Sequence, residues 1–169
     1  MKTYVSLPDT ARIAGLVLAT LALAACGRDG PTVAVSTATA ADESAKLVVY
    51  EGPRCGCCGQ WGLHMEAAGF EVEVQKTEHL AHIKPAMGVP AELASCHTAK
   101  IRGYFVEGHV PAREVQRLLA ERPAARGLAV TGMPAGSPGM EAPDGRVDAY
   151  EVLLVAGDGA TSVYARYPE

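Results

Sequence analysis

Cys55, Cys57 and Cys58 fall within the run Cys55-Gly56-Cys57-Cys58, with Gly59 behind it. Cys55 and Cys58 have the CxxC spacing, which lets two sulfurs reach one metal or each other. At a helix N-terminus the dipole and the unpaired N–H groups favour thiolate, the form that binds metal and also the form that attacks disulfides. The pair alone therefore leaves both chemistries open. Cys57 separates them. In an oxidising compartment a third thiol beside a CxxC pair invites wrong pairings in a dedicated oxidoreductase, whereas a site of bridging thiolates has a use for it.

Cys96-His97 brings a fourth thiol and an imidazole from far along the chain. Four thiolates could close a tetrahedral zinc site; bridging thiolates suit Cu(I). Neighbouring residues of a strand point oppositely, so Cys96 and His97 share a metal only if they lie in a turn. Met133 and Met140 bracket a glycine–proline loop, and thioethers select Cu(I) over zinc. The residues alone leave His97 open between a ligand and a polar side chain bonding nearby backbone, and Met133 and Met140 read first as loop or core contacts. His109, just ahead of an expected helix, is a weaker candidate that reads first as a hydrogen-bonding histidine. Met65 and Met87 read as packing, and His64, His79 and His82 as surface.

The bulk composition narrows the partners. The chain has 169 residues, about half of them apolar, and a net charge of −4, so it can bury a core but offers no polybasic face. Nucleic acid and anionic lipid headgroups are therefore not expected partners. Two Phe and one Trp argue against an aromatic-lined pocket for a large organic ligand.

Lys2 and Arg12 precede an apolar run from Ile13 to Ala25. It is shorter than the roughly 20 residues of a membrane span and reads as a signal peptide over 1–25. Leu23-Ala24-Ala25-Cys26 looks like a lipobox, which would make Cys26 the lipidated N-terminus of a mature lipoprotein. Gly27 after it resembles cargo for the outer membrane of a Gram-negative cell. Residues 26–45 are small and polar with no apolar period, the composition of a flexible tether, and the domain is expected over 46–169.

Within that domain Leu47 to Tyr50 is a continuous apolar run, the mark of a buried strand. Trp61, Met65 and Ala68 recur at helical spacing up to Gly69. Glu71 to Gln75 alternates as a strand. Glu78 to Lys84 is expected as a short helix capped by Thr77 and stopped by Pro85, and Ile101 to Val106 as one strand. Pro111 suits the first position of a helix carrying Val115, Leu118 and Leu119 up to Pro123. Leu128 to Thr131 is expected extended, 132–143 irregular, and Tyr150 to Val155 with Ser162 to Tyr167 a closing hairpin. A cysteine pair between first strand and first helix is the thioredoxin-like placement. The expected fold is therefore an α/β, thioredoxin-like sandwich with a C-terminal β-hairpin, behind a lipoprotein signal peptide and flexible tether.

Six segments in order carry a family resemblance: Cys55-Gly56-Cys57-Cys58 with Trp61, Met87-Gly88-Val89-Pro90, Ser95-Cys96-His97-Thr98-Ala99, Gly103-Tyr104, Glu107-Gly108-His109-Val110-Pro111, and Gly132-Met133-Pro134 through Gly136-Ser137-Pro138-Gly139-Met140-Glu141. From about Leu47 to Val155 the chain resembles the bacterial family of predicted metal-binding proteins whose described members are the CopG-type copper-resistance proteins. The resemblance implies a thioredoxin-like fold, an envelope location, a multicopper site on the CxCC cysteines and a redox role toward copper; carried over residue by residue, it puts the metal ligands first at Cys55, Cys57, Cys58 and Cys96, then at His97, Met133 and Met140. Thr131 stands where the family pattern leads us to expect proline.

The function expected is copper homeostasis at the cell envelope. Cu(I) would be bound as a multinuclear thiolate cluster by Cys55, Cys57, Cys58 and Cys96 under the Met133–Met140 loop. The expected partners are copper ions, a copper pump or periplasmic copper chaperone, and the membrane through the lipid anchor alone. Two alternatives stand beside it. One is a thiol–disulfide oxidoreductase with Cys55 as nucleophile and Cys58 as resolving thiol; the other is an interaction domain stabilised by zinc.

Overall fold

A computed structural model describes residues 46–168. The expected signal peptide, the Cys26 lipidation site and the tether over 26–45 lie outside the described residues. No helix among the described residues is long and apolar enough to cross a membrane.

The chain folds as a mixed α/β unit. Its elements run β1 (Lys46–Glu51), α1 (Gly56–Ala67), β2 (Glu71–Lys76), α2 (Leu80–Ala86), β3 (His97–Ile101), β4 (Tyr104–Glu107), α3 (Ala112–Glu121), β5 (Ala125–Ala129), β6 (Tyr150–Ala156) and β7 (Thr161–Tyr167), with one 3-10 turn over Ala91–Leu93. Among the described residues the strands form one seven-stranded sheet in the order β2-β1-β3-β4-β5-β6-β7. β1 and β2 pair in parallel across α1, and β4 and β5 in parallel across α3; the other neighbours are antiparallel.

The two-residue period of the strands sorts their side chains onto two cores. Leu47 and Val49 of β1, Ala99 and Ile101 of β3, Val106 of β4 and Leu128 of β5 pack with Trp61 and Met65 of α1 and with Val115 and Leu118 of α3. Phe105 and Ala129, one residue out of step, pack with Val89, Leu93 and Val155 on the other face, where Met87 joins them. The helices are therefore shared between the faces. α1 docks because Cys58, Trp61, Gly62 and Met65 make a buried stripe at helical spacing.

Two local expectations are corrected. The strand expected over Ile101–Val106 is a hairpin, β3 turning into β4 at Arg102 and Gly103, whose φ values are +46° and +83°. Paired positive φ is the signature of a primed two-residue turn, which matches strand twist. The helix expected over Glu78 to Lys84 behind a Thr77 cap starts later, at Leu80 with His79 as N-cap, Thr77 Oγ1 instead accepting the His79 N–H at 3.0 Å, and it continues through Pro85 to Ala86; one missing N–H in the last turn costs little there, and the Pro85 carbonyl accepts the Gly88 N–H at 3.0 Å.

Candidate metal centre

The centre sits where β1 hands over to α1. Cys55 is the N-cap of α1 and makes no side-chain cap bond, and no acidic residue occupies the first turn. The helix's free N–H groups and dipole are thus left for Cys57 and Cys58, in that first turn. Cys58 is fully buried, Cys55 and Cys57 partly so. Cys55 and Cys58 are disulfide-bonded, while Cys57 and Cys96 are free thiols. The Cys57 sulfur lies 3.5 Å from that of Cys55.

Cys96 arrives from the bend that leads into β3, the antiparallel neighbour of β1, where Glu51 at the end of β1 is paired with His97. The sulfurs of Cys55, Cys57, Cys58 and Cys96 all lie within 4.8 Å of one another. Burial and the neighbouring Cys57 push the Cys96 thiol up to about 11, so without metal it keeps its proton. The bend also lets consecutive residues converge: His97 Nδ1 is 3.2 Å from Cys96 Sγ.

His109, only a weak candidate in the sequence, is the imidazole best placed for ligation. Its Nε2 lies 3.1 Å from Cys96 Sγ, and its Nδ1 lies 2.8 Å from the Pro138 carbonyl. A carbonyl only accepts, so Nδ1 carries the hydrogen and Nε2 presents a lone pair toward the sulfur. Such a second contact fixes tautomer and ring orientation in metal-bound histidines. His97, by contrast, leaves a buried Nε2 without a hydrogen-bond partner. Its ring is fully buried beside Trp61, centroids 4.5 Å apart, and edge-on to His109. Burial first, then His109 and Lys84, hold His97 down to about 3, and burial lowers His109. Both rings are neutral at neutral pH, the state in which imidazole binds metal.

The Glu107–Pro111 segment now has a physical explanation. Glu107 accepts the Ser95 N–H. At Gly108, φ is +69° and any Cβ would lie 2.5 Å from the Val130 carbonyl oxygen and 2.8 Å from Ser95. His109 faces Cys96, the Val110 carbonyl accepts the Trp61 indole N–H at 2.9 Å, and Pro111 is the N-cap of α3.

The glycine–proline loop closes over the first turn of α1. At Gly139, with φ +80°, a Cβ would lie 2.7 Å from Trp61 N and 2.9 Å from Cys57 O, so the loop backbone rests directly on the cysteine turn. Met140 follows at that contact and is half-buried, whereas Met133 is 53 % exposed at the loop's far end. Of the histidines expected on the surface, His79 and His82 are exposed. His64 is not: it is half-buried, and its Nε2 accepts the Ala112 N–H at 3.1 Å.

In chemical terms, four sulfurs gather within 4.8 Å of one another, and two neutral imidazoles gather within the same distance around one of them, Cys96. That donor set is soft and fits Cu(I) or zinc better than a hard cation. With the Cys55–Cys58 disulfide closed, Cys57, Cys96 and the histidines remain; opening it adds two sulfurs.

Residues 93–140 match the family described as "Protein of unknown function, DUF411". That stretch holds Cys96, His97, His109 and both loop methionines, but not the CxCC run. No curated protein matches the chain. Two solved structures described as "Copper resistance protein copG", in forms 2 and 1, resemble it closely. The first is 46 % identical, covering 73 % of this chain and 98 % of that one with a TM-score of 0.69. The second is 45 % identical, covering 75 % and 99 % with a TM-score of 0.70.

Proposed function

The chain belongs to the family of copper resistance protein CopG, and on that premise we propose that it captures Cu(I) at the cell envelope in a multinuclear thiolate cluster. The observation that carries this reading is the gathering of Cys55, Cys57, Cys58 and Cys96 within 4.8 Å, with His97 and His109 sharing Cys96. Copper is the cargo. Cys57 and Cys96 hold it in either state of the protein; Cys55 and Cys58 join once an external dithiol has reduced their disulfide, giving up two electrons and two protons and becoming a disulfide itself. His109 Nε2 is the first imidazole ligand and His97 the second. Met140, next in chain to the Gly139 contact with the cysteine turn, would supply a thioether, while exposed Met133 would serve at the rim of the loop.

The neutral histidines and the protonated Cys96 set the proton traffic: a thiol must lose its proton as it takes copper, so loading is favoured by rising pH. Trp61 and the loop over Gly139 keep water from the inner side. Closing the Cys55–Cys58 disulfide from its two thiols releases two electrons and two protons, which would reduce two Cu(II) to Cu(I), the state the soft donors favour. The β1-α1-β2 and β3-β4-α3 order, with cysteines at the β1-to-α1 junction, supports a thioredoxin-like core. The Leu23–Cys26 lipobox supports attachment at Cys26 to a membrane facing the periplasm, with a copper pump or chaperone as exchange partner.

One observation favours a second reading. The Cys55–Cys58 disulfide at a helix start is also the arrangement of a thiol–disulfide oxidoreductase. The deciding experiment offers equal copper and zinc to the reduced protein under anaerobic conditions and measures metals per chain after desalting. More than one copper per chain supports the cluster. A single zinc points to a structural site, and no metal with turnover of a protein disulfide points to the oxidoreductase.

A further inference from the structure

A buried ion pair is costly, because both charges give up hydration and an apolar pair of similar volume is often no less stable. Lys84 and Glu107 form one, with side chains 10 % and 0 % exposed. It links α2 to the last residue of β4. The oxygen that meets the Lys84 ammonium, Glu107 Oε1, also accepts the Ser95 N–H at 2.5 Å. Ser95 is held a second time, since its Oγ donates to the Gly132 carbonyl at 2.6 Å. It is held a third time by contact with Gly108, which has no side chain to push it away. All of this converges on the residue before Cys96, whose own position lies outside the β3 ladder.

We propose that the Lys84–Glu107 pair is a positioning device for the Cys96 thiol. Lys84 fixes the carboxylate, the carboxylate fixes the Ser95 amide, and that amide sets where the Cys96 sulfur stands between His109 and Cys57. Lys84 and Glu107 touch no reacting atom and act through Ser95. Their service to copper rests on the copper reading above; the positioning itself does not.

Two double variants test it in the full chain. Lys84→Met with Glu107→Gln removes both charges and keeps an acceptor for Ser95 N–H; Lys84→Met with Glu107→Leu removes the acceptor as well. The first readout is the rate at which iodoacetamide alkylates Cys96 in reduced, metal-free protein, followed on the Cys96 peptide by mass spectrometry. The second is Cu(I) affinity and the ultraviolet thiolate-to-copper absorption. The Gln variant is expected within about twofold of wild type, and the Leu variant to alkylate about tenfold faster and bind copper about tenfold more weakly. A Leu variant that matches wild type in both, or a Gln variant impaired as much as the Leu variant, overturns the proposal. If the Leu variant does not fold, Glu107→Asp, which keeps the charge and shortens the reach, decides by the same readouts: altered Cys96 reactivity supports positioning, and unchanged reactivity overturns it. A wild type that binds no copper defeats the copper reading alone, since the alkylation rates still decide the positioning.

Discussion

His109 Nε2 stands 3.1 Å from the sulfur of Cys96, joining the end of β4 to the bend before β3. The contact is directional, because the Pro138 carbonyl holds the ring's Nδ1–H at 2.8 Å and turns the bare nitrogen toward the thiol. His97 meets the same sulfur through Nδ1 at 3.2 Å, with no hydrogen-bond partner at its buried Nε2.

The two histidines should therefore contribute unequally. His109→Gln is expected to weaken Cu(I) binding at least about tenfold, and His97→Gln by less, since supporting contacts around metal-bound histidines are themselves worth that order. Competition against a Cu(I) chelator measures both. Equal losses, or a larger loss for His97→Gln, would reverse the assignment.

Gly139→Ala tests the loop as a cover for the cysteine turn. The added methyl meets backbone at 2.7 Å and 2.9 Å in a conformation alanine disfavours, so the loop must lift. A loss of about 1–3 kcal/mol of stability is expected, with a change in Trp61 fluorescence, since Trp61 N is the nearest atom. Unchanged stability and fluorescence would mean the loop does not bear on α1.

Burial of the histidines fixes the sign of the acid response. His97 is held down to about 3 in the fold, against roughly 6.5 in an unfolded chain. Between those values the unfolded chain takes a proton that the fold refuses. The associated stability is complete above about pH 6.5 and is lost progressively as pH falls toward 3. His97→Phe should flatten that fall in denaturant titrations of the metal-free protein between pH 7 and 5. An unchanged slope would show that other groups govern it.

Much of this was legible in the chain. The CxCC run marked where cysteines would cluster, the apolar run after Lys46 gave β1, and the two apolar stretches from Tyr150 and Ser162 gave the β6–β7 hairpin, because these signals are local. Three features were not. The Arg102-Gly103 turn was hidden inside a stretch of strand-forming residues, and its positive φ at an arginine has no compositional mark. His109 reads as a residue ahead of a helix until the Pro138 carbonyl, 29 residues on, shows which nitrogen is free. The Lys84–Glu107 pair joins a helix that looks solvated to a strand that looks apolar, and only the tertiary fold reveals that both charges are buried.

The central claim is that the clustered cysteines hold the copper. The most direct measurement replaces Cys55, Cys57 and Cys58 together by serine and determines Cu(I) per folded chain under anaerobic, reducing conditions. The expected result is loss of the cluster, with at most one weakly held copper left on Cys96 and the histidines. A folded serine variant that retains the wild-type copper stoichiometry would contradict the account.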